Sequence, residues 1–216
     1  PRVEVRFVEG LSANLEKKIA NGEVDFAVVL SDRYNADLVE HEFLREEVYL
    51  CVPEVLLRQY YTPEEIQGIK ERSIQGADLR DFARLPFSLM TNRLGGRIRE
   101  QFRQVGVEPW AFFTGPSTAQ TLPLCASGTA ACFSTNLSLV ERLEQMGERV
   151  NIFPLMDRGE PMVQRLSLLR HRQRYLTHFA KYFMELLFDS TAALDRIPVL
   201  RVAGGEGAVE KSVENV

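Results

Sequence analysis

The sequence predicts an α/β fold built as two small lobes, and three observations lead to this prediction. The run Val24–Leu30 is apolar apart from Asp25, which is typical of a strand buried on both faces. Short apolar strands alternate with amphipathic helices from Val3 onward, and the pattern starts again near Pro86. With 216 residues, 45% hydrophobic and 26% charged, the chain can form one large domain or two lobes with their own cores.

The first half of the chain begins with a predicted βαβ unit. Alternating apolar and charged residues predict a strand at Val3–Val8, and Ser12 is a suitable N-cap for the helix that follows. The buried strand Val24–Leu30 completes the unit, which has about the expected 30 residues. Two further strands are expected at Leu38–Leu44 and Glu47–Val52, separated by a turn.

The second half predicts a further strand and helix series. Thr62 and Glu65 form a capping-box pattern around Pro63, so a short helix is expected there first. The strands expected after it are Pro86–Met90, Pro109–Thr114, Ala130–Ser134, Val150–Pro154 and Val163–Leu169. The strongest amphipathic pattern is the predicted helix Tyr175–Phe188, and the Gly-rich, charged segment Ala203–Val216 predicts a mobile C-terminal tail.

Charge and apolar content limit the partners of this chain. The formal net charge is −4, whereas a domain that binds duplex DNA by itself normally has a basic face. No apolar run approaches the ~20 residues of a membrane span. The segment Pro1–Gly10 alternates charged and apolar residues and has no apolar core like that of an export signal. We therefore expect a cytoplasmic chain without direct contacts to DNA or membrane.

The cysteines and histidines predict no metal site and no cofactor. The odd count and irregular spacing of Cys51, Cys125 and Cys132 favour buried free thiols over a disulfide or a metal site. The three histidines form no recognised ligand set. Catalytic motifs are also lacking: the sequence contains no GxSxG elbow, P-loop or GxGxxG. These observations favour a binding protein over an enzyme.

The order and spacing of several segments resemble the effector-binding domain of LysR-type transcriptional regulators, over roughly Val3–Phe188. Asp25–Val28 is similar to the family's "G-x-L-D-hydrophobic" strand, and Tyr49–Pro53 to the strand that closes its first lobe. Leu85–Phe87, followed by Arg97–Phe102, looks like the family's "PFI…LR…F" entry into the second lobe. Cys125–Phe133 occupies the position of the family's "aG-x-G" segment.

This resemblance implies a fold like that of periplasmic binding proteins of type 2, with two Rossmann-like subdomains and a cleft between them. Subdomain I would comprise residues 1–80 and 160–196, subdomain II residues 81–159, and residues 197–216 would be the tail. Three features depart from the family. The DNA-binding winged helix and linker helix have no counterpart, Glu54–Asp78 is longer than usual, and Ser127–Ser134 lacks a second glycine and the following proline.

The function implied by the resemblance is the sensing of a small-molecule effector, an anion such as a carboxylate or an aromatic compound, in the interlobe cleft. Family members act as homodimers or tetramers, and contact with DNA would need an N-terminal domain that this chain lacks. Two alternatives stay open. An extracytoplasmic solute-binding protein of a transporter shares the fold, and a small α/β enzyme could use the same cleft. The start of the full-length gene would separate a transcriptional regulator from a solute-binding protein.

Two helix N-termini are the main candidates for holding an anionic effector. Ser12 is expected at the start of a helix directly after a strand, and Ser117 and Thr118 open a helix after another strand. Exposed N–H groups and the helix dipole favour anions at such positions, and the hydroxyl groups can donate to a carboxylate. For Ser12 and Ser117 the alternative, that each only caps its own helix, is equally open.

Further candidates lie where predicted strands end. The additional effector-binding residues expected on this basis are Leu30, Ser31, Thr91, Asn92, Thr114 and Phe133. For Asn92 a simple turn is the competing interpretation, and for Phe133 core packing is favoured over a place in the pocket wall. An arginine among Arg93, Arg97 and Arg99 could clamp a carboxylate, but a solvated helix face is the favoured interpretation.

Overall fold

A computed structural model describes residues 3–30, 36–140, 142–146, 149–191 and 199–203. The chain divides into two compact units. Unit 1 comprises Pro1–Glu46 and Gln164–Arg196, and unit 2 comprises Glu47–Val163 and Ile197–Val216. The chain therefore passes between the units three times.

Helices and strands alternate along most of the described residues. In chain order they are α1 (Ser12–Asn21), β1 (Phe26–Leu30), β2 (Leu38–Pro53), α2 (Glu54–Tyr60), α3 (Pro63–Ser73), a 3-10 helix (Leu79–Phe82), β3 (Pro86–Met90), α4 (Arg93–Gln104), β4 (Trp110–Gly115), α5 (Thr118–Ala126), β5 (Ala131–Thr135), α6 (Asn136–Val140), α7 (Leu143–Met146), β6 (Val150–Pro154), β7 (Met156–Asp157), β8 (Glu160–Pro161), β9 (Val163–His171) and α8 (His178–Thr191).

Unit 1 contains a sheet with the order β1-β9-β2, to which β2 contributes its first half. Because side chains alternate along a strand, Ala27 and Val29 of β1 share one face and Phe26 lies on the other. Ala27 and Val29 belong to the same buried cluster as Ile19 of α1. The ring of Phe26 stacks on that of Phe183 in α8, with centroids 5.9 Å apart. The sheet of unit 1 is thus covered by a helix on each face.

Two predictions for residues 3–52 are wrong, namely the strand at Val3–Val8 and the turn at Arg45 and Glu46. Residues Val3–Val8 are not a strand, and the side chain of Phe7 is 85% exposed. An alternating pattern specifies a half-buried strand only where a neighbouring edge is available to pair with it. The strands expected at Leu38–Leu44 and Glu47–Val52 are instead one continuous strand of 16 residues, without a turn at Arg45 and Glu46.

Unit 2 contains a sheet with the order β6-β2-β5-β3-β4. Strand β3 is parallel to both β4 and β5, whereas β2 is antiparallel to β5 and β6. Along β2, Leu50 and Val52 enter the buried cluster shared with α2, α3 and α4. The alternate residues Tyr49 and Cys51 enter the opposite cluster, shared with α5 and α6. Burial on both faces explains the nearly continuous apolar run of β2 from Val48 onward.

Three phenylalanines form the centre of the first of these clusters. The rings of Phe87 and Phe133 stack with centroids 5.8 Å apart, and Phe102 of α4 meets both edge-on, at 5.1 and 6.0 Å. All three side chains are at most 1% exposed. Phe133 is therefore a core residue of unit 2, which is the alternative that the sequence favoured for it.

The three cysteines meet in the second cluster, as free and fully buried thiols. Cys51 on β2 lies directly opposite Cys132 on β5, and Cys125 of α5 donates to the Cys51 carbonyl at 3.5 Å. Burial raises the pKa of the Cys125 thiol, and a hydrogen bond to Cys132 together with burial raises the pKa of Cys51. At neutral pH these thiols are protonated, as expected for core residues.

Residues 47–80, which the family resemblance assigned to subdomain I, pack in unit 2. The predicted capping box at α3 is present: Thr62 Oγ1 accepts from Glu65 N at 3.3 Å, and Glu65 Oε2 accepts from Thr62 N at 2.8 Å. Leu57 of α2 and Ile69 of α3 are buried in the cluster that contains the phenylalanines. Their apolar faces hold this segment to the unit 2 sheet.

No helix in the described part of the chain is long and apolar enough to cross a bilayer.

A buried ion pair joins α2 to α3. Lys70 Nζ lies 2.8 Å from Glu54 Oε2, and the two side chains are 11% and 12% exposed. Asn151 Nδ2 also donates to Glu54 Oε2, at 3.0 Å. Burial opposes ionisation of Glu54, but the hydrogen bonds from Asn151 and Lys70 outweigh it and keep its pKa below the ordinary value.

We predict that Glu54→Gln destabilises unit 2 by about 3 kcal/mol at pH 7, because Lys70 would be left as a buried charge without its partner. The lowered pKa means that the carboxylate stabilises the fold above the unfolded-state pKa of about 4.3, and that this contribution is lost as the pH falls through the folded-state pKa. The difference between variant and parent in urea denaturation should therefore shrink below about pH 4.

Arg58→Gln provides the matched control. Arg58 Nε lies 3.5 Å from Glu54 Oε1, but the Arg58 side chain is 71% exposed, so its loss should change stability by less than about 1 kcal/mol. Equal effects of the two substitutions at pH 7 would contradict the assignment of Lys70 as the main partner of Glu54.

Candidate functional site

The carboxyl ends of three parallel strands meet at one edge of the unit 2 sheet, and each strand is followed by a helix. Strands β3, β4 and β5 lead into α4, α5 and α6 respectively. Among the described residues of α4 and α5, neither first turn contains an acidic side chain. The N–H groups at the starts of these two helices therefore provide a positive potential at the sheet edge. No carboxylate in either first turn offsets this potential.

Thr91 and Asn92 follow β3 directly and shape the start of α4. The backbone N–H of Thr91 donates to Gly115 O at 2.8 Å, so the end of β3 is joined to the end of β4. Asn92 is the N-cap of α4, and its Oδ1 accepts from Gly95 N at 3.0 Å. Asn92 is thus more than a simple turn residue, and Thr91 is exposed beside it.

Thr114, Ser117 and Thr118 lie at the end of the neighbouring strand. Ser117 is the N-cap of α5, as predicted. Its N–H and its hydroxyl both donate to Gln120 Oε1, at 3.1 and 3.2 Å. A ligand that used the Ser117 hydroxyl would compete with this intrahelical bond. Five predicted site residues, namely Thr91, Asn92, Thr114, Ser117 and Thr118, are thus brought to one edge of one sheet.

The remaining candidates are arranged differently. Ser12 and Leu30 belong to unit 1, and Ser31 lies outside the described residues. The N-cap of α1 is Leu11 instead of Ser12, since Leu11 O accepts from the N–H groups of Asn14 and Leu15. Ser12 is the first residue of the helix and is partly buried.

Two arginines of α4 make structural contacts. Arg99 Nη1 donates to Met90 O at 2.7 Å, at the end of β3, and Arg97 Nη1 donates to Val163 O at 2.5 Å. Both side chains are partly buried, so the expectation of a solvated helix face is wrong for them. Their bonds to backbone carbonyls hold α4 against the rest of unit 2.

Two polar residues at the same sheet edge were missed by the sequence analysis. Thr135 ends β5 and Asn136 begins α6, and both are buried, at 3% and 2% exposure. Asn136 Oδ1 accepts from Glu47 N at 3.2 Å, and Thr135 Oγ1 donates to Ser138 Oγ at 3.3 Å. A polar pair directly after an apolar strand is the signal that could have identified them.

Gly95 sets how closely α4 approaches the strand that precedes it. A Cβ atom at Gly95 would lie 1.8 Å from the backbone oxygen of Met90, whereas one at Gly96 would meet nothing within 4 Å. We predict that Gly95→Ala destabilises the protein by about 3 kcal/mol through overpacking against backbone. Gly96→Ala should instead stabilise it by up to about 1 kcal/mol through helix propensity.

Chemical denaturation of the two variants, side by side, measures this difference. The two glycines are neighbours in one helix, so helix propensity acts in the same direction on both. If Gly95→Ala were as stable as Gly96→Ala, the close approach of α4 to Met90 would be ruled out.

Comparison with known proteins identifies related chains. A curated relative, the uncharacterised HTH-type transcriptional regulator YcgK of Bacillus subtilis (strain 168), is 27% identical over 225 residues. The match covers 100% of this chain and 64% of the relative, so this chain spans less than two thirds of that protein's length.

Solved structures share the fold at low sequence identity. The effector-binding domain of QuiR in complex with shikimate has a TM-score of 0.60 and 14% identity, over 85% of this chain and 79% of that one. The C-terminal domain of a probable LysR family regulator from Rhodococcus sp. RHA1 has a TM-score of 0.62 and 16% identity, over 85% and 83% of the two chains.

The family model of the LysR substrate binding domain matches residues 1–192, which is most of the sequence. This match agrees with the α/β architecture, with helices on both faces of the sheet in each unit, and with the segments that resemble the family in the sequence itself. The chain belongs to the LysR substrate-binding domain family.

Proposed function

We propose that this chain is the effector-sensing domain of a LysR-type DNA-binding transcriptional regulator, and that it binds a small anionic or aromatic ligand in a cleft between two lobes. The arrangement of α4 and α5 carries the proposal. Both helices begin at the carboxyl ends of parallel strands, where α/β proteins bind their ligands. Hydroxyl and amide groups of Thr91, Asn92 and Ser117 are concentrated there.

A carboxylate suits this edge for two reasons. The first turns of α4 and α5 carry no acidic side chains, so an anion would meet the positive ends of the helix dipoles without repulsion from those turns. The related QuiR domain is described in complex with shikimate, which contains a carboxylate. The predicted site residues that belong to unit 2 would supply the ligand-binding groups of the second lobe. Ser12 would contribute a further group from the first lobe.

The proposed mechanism is a shift between conformations of the two lobes. An effector that binds one arrangement more tightly raises the population of that arrangement. In a full-length regulator this change would reach a DNA-binding domain, which we propose lies outside this sequence. In this proposal the regulator acts in the cytoplasm, and the site binds its ligand without catalysing a reaction.

We predict that Ser12→Ala and Ser117→Ala each weaken effector binding by about 1–3 kcal/mol, or roughly 5–150-fold in Kd, if each hydroxyl donates to a carboxylate. The effector is first identified by thermal shift with a panel of aromatic acids, dicarboxylates, amino acids and inorganic anions. Isothermal titration calorimetry with the ligand found then measures the parent and both variants.

Ser127→Ala is the control for these variants. The Ser127 hydroxyl lies at the opposite end of α5, where it donates to Leu124 O at 3.0 Å, so its removal should leave affinity unchanged. Unchanged affinity in both Ser12→Ala and Ser117→Ala would reject the proposed anion site. The absence of a thermal shift with every anion of the panel would count against an anionic effector.

We also predict that the chain forms a homodimer or tetramer through an outermost strand of its sheet. Strand β4 ends the sheet order of unit 2, and its Trp110 and Phe112 are 50% and 51% exposed. An apolar edge strand is prone to pair with another chain. Static light scattering should therefore give at least twice the mass of one chain, and Phe112→Lys should shift the population toward monomer.

Phe7→Lys is a suitable control, because Phe7 is more exposed, at 85%, but lies outside any strand. A monomer at millimolar concentration would refute oligomerisation of this chain. Equal dissociation by the two lysine substitutions would show that β4 is not the pairing edge.

A further inference from the structure

Helix α8 packs on the sheet of unit 1 through one of its faces. Phe183 stacks on Phe26 of β1, and the ring of Phe188 meets that of Phe43 edge-on, with centroids 5.9 Å apart in both pairs. Side chains on opposite sides of a helix point in opposite directions, so these contacts define which face of α8 is directed away from the sheet.

The outward face of α8 is also apolar. Phe179, Tyr182 and Leu186 recur at spacings of three and four residues, so their side chains form one stripe, here called the α8 stripe. They are 43%, 57% and 49% exposed. Two further apolar residues of unit 1 are exposed, Tyr175 just before the helix and Val28 on the side of β1 that α8 covers. A surface helix normally has polar residues on its outward face, so the α8 stripe indicates a contact with another chain.

The charged residues of α8 are distributed against the dipole of their own helix. The basic residues His178 and Lys181 lie in its first turn, whereas Glu185 and Asp189 lie in its second half. Basic groups near an N-terminus and acidic groups near a C-terminus both destabilise a lone helix. All four side chains are exposed, and Lys181, Glu185 and Asp189 have no ionic partner among the residues that the structure describes. A partner with the opposite order of charges would offset this unfavourable placement.

A second copy of α8 in antiparallel orientation supplies that opposite order. Rotation about a two-fold axis beside Tyr182 places the first half of one helix against the second half of the other. His178 and Glu185 each precede a residue of the stripe and are seven positions apart, so they lie along one flank of it. The rotation brings this flank against the same flank of the second copy, and His178 of each copy then lies opposite Glu185 of the other. In a parallel pair, like charges would face each other instead.

We propose that the α8 stripe is a self-association surface, on which a second copy of this chain docks its own α8 in antiparallel orientation. The two stripes bury each other's apolar side chains, and the two pairs of His178 with Glu185 select the orientation. With 14 residues α8 is about 21 Å long, so the contact is smaller than the standard interface of about 800 Å² per partner and should be weak by itself.

This contact is separate from pairing through β4, because α8 belongs to unit 1 and β4 to unit 2. Two different two-fold contacts on one chain can build a tetramer, whereas either of them alone gives a dimer. The α8 contact requires neither an effector nor the β4 contact.

Sedimentation equilibrium without effector, on chains that carry Phe112→Lys, isolates the α8 contact. These chains should still form dimers at high protein concentration. Adding Leu186→Lys should raise the dimer Kd at least about tenfold, because it places a charged group in the middle of an apolar contact. Adding Val55→Lys is the matched control, since Val55 is 56% exposed on α2, outside the proposed contact, and this substitution should leave the Kd unchanged.

Exchange of the flanking charges tests the orientation in the same chains. His178→Glu and Glu185→Lys should each raise the dimer Kd about threefold to tenfold, because neither variant has an acidic group opposite a basic one on this flank. The double variant should recover the original Kd, since each new lysine again faces a carboxylate of the other copy. Circular dichroism at low concentration should show unchanged helix content in all variants, which separates loss of association from loss of fold.

Equal association of the Leu186→Lys and Val55→Lys chains would overturn the α8 contact, and so would a strictly monomeric Phe112→Lys chain at millimolar concentration. Weakening by both single charge variants without recovery in the double variant would rule out the antiparallel pair. No effector is present in these measurements, so their failure would leave the proposed anion site standing. Conversely, calorimetry on the serine variants can fail while the α8 contact is supported.

Discussion

The parallel pairing of β3 with β4 and β5 is the constraint on which the candidate site depends. Parallel neighbours cannot be joined by tight turns, so the chain leaves each strand through a helix and returns on a face of the sheet. All three helices then begin at the same edge. Gly95 allows α4 to start directly against the last carbonyl of β3, and this close approach fixes the first turn of the helix beside Thr91.

The sequence predicted unit 2 better than unit 1 for a physical reason. Strands buried on both faces appear in the sequence as continuous apolar runs. The predicted strands Pro86–Met90 and Val150–Pro154 therefore have the same bounds as the observed strands β3 and β6. The alternation at Val3–Val8 is a weaker signal, because whether it forms a strand depends on an edge elsewhere in the chain. The meeting of the cysteines was also invisible, since it arises from the pairing of β2 with β5 and not from spacing.

The candidate site was predicted where it rests on local rules. An N-cap residue after a strand is recognisable from sequence, which is why Ser117 was found. Asn92 was found because it directly follows a predicted strand, although its role as the N-cap of α4 was not predicted. Side chains whose partners lie far along the chain were misjudged: Arg97 binds the carbonyl of Val163, and Asn136 binds the N–H of Glu47. Their roles depend on tertiary packing, which no window of sequence contains.

The buried network around Lys70 explains why the segment Val199–Ala203 pairs with β6 in one register, in which Arg201 and Ile152 exchange two backbone hydrogen bonds. A charged ammonium group at 11% exposure is costly unless its hydrogen bonds are satisfied, and the Ala203 carbonyl supplies one of its acceptors. A slip of one residue would turn Val199 away from the cluster that contains the cysteines and would move the N–H of Ala203 away from Asn151. Apolar burial and the polar network therefore select the same register, although hydrophobicity alone would tolerate others in so short a strand. The network therefore specifies where this segment pairs with β6, beyond what its short apolar pattern could specify alone.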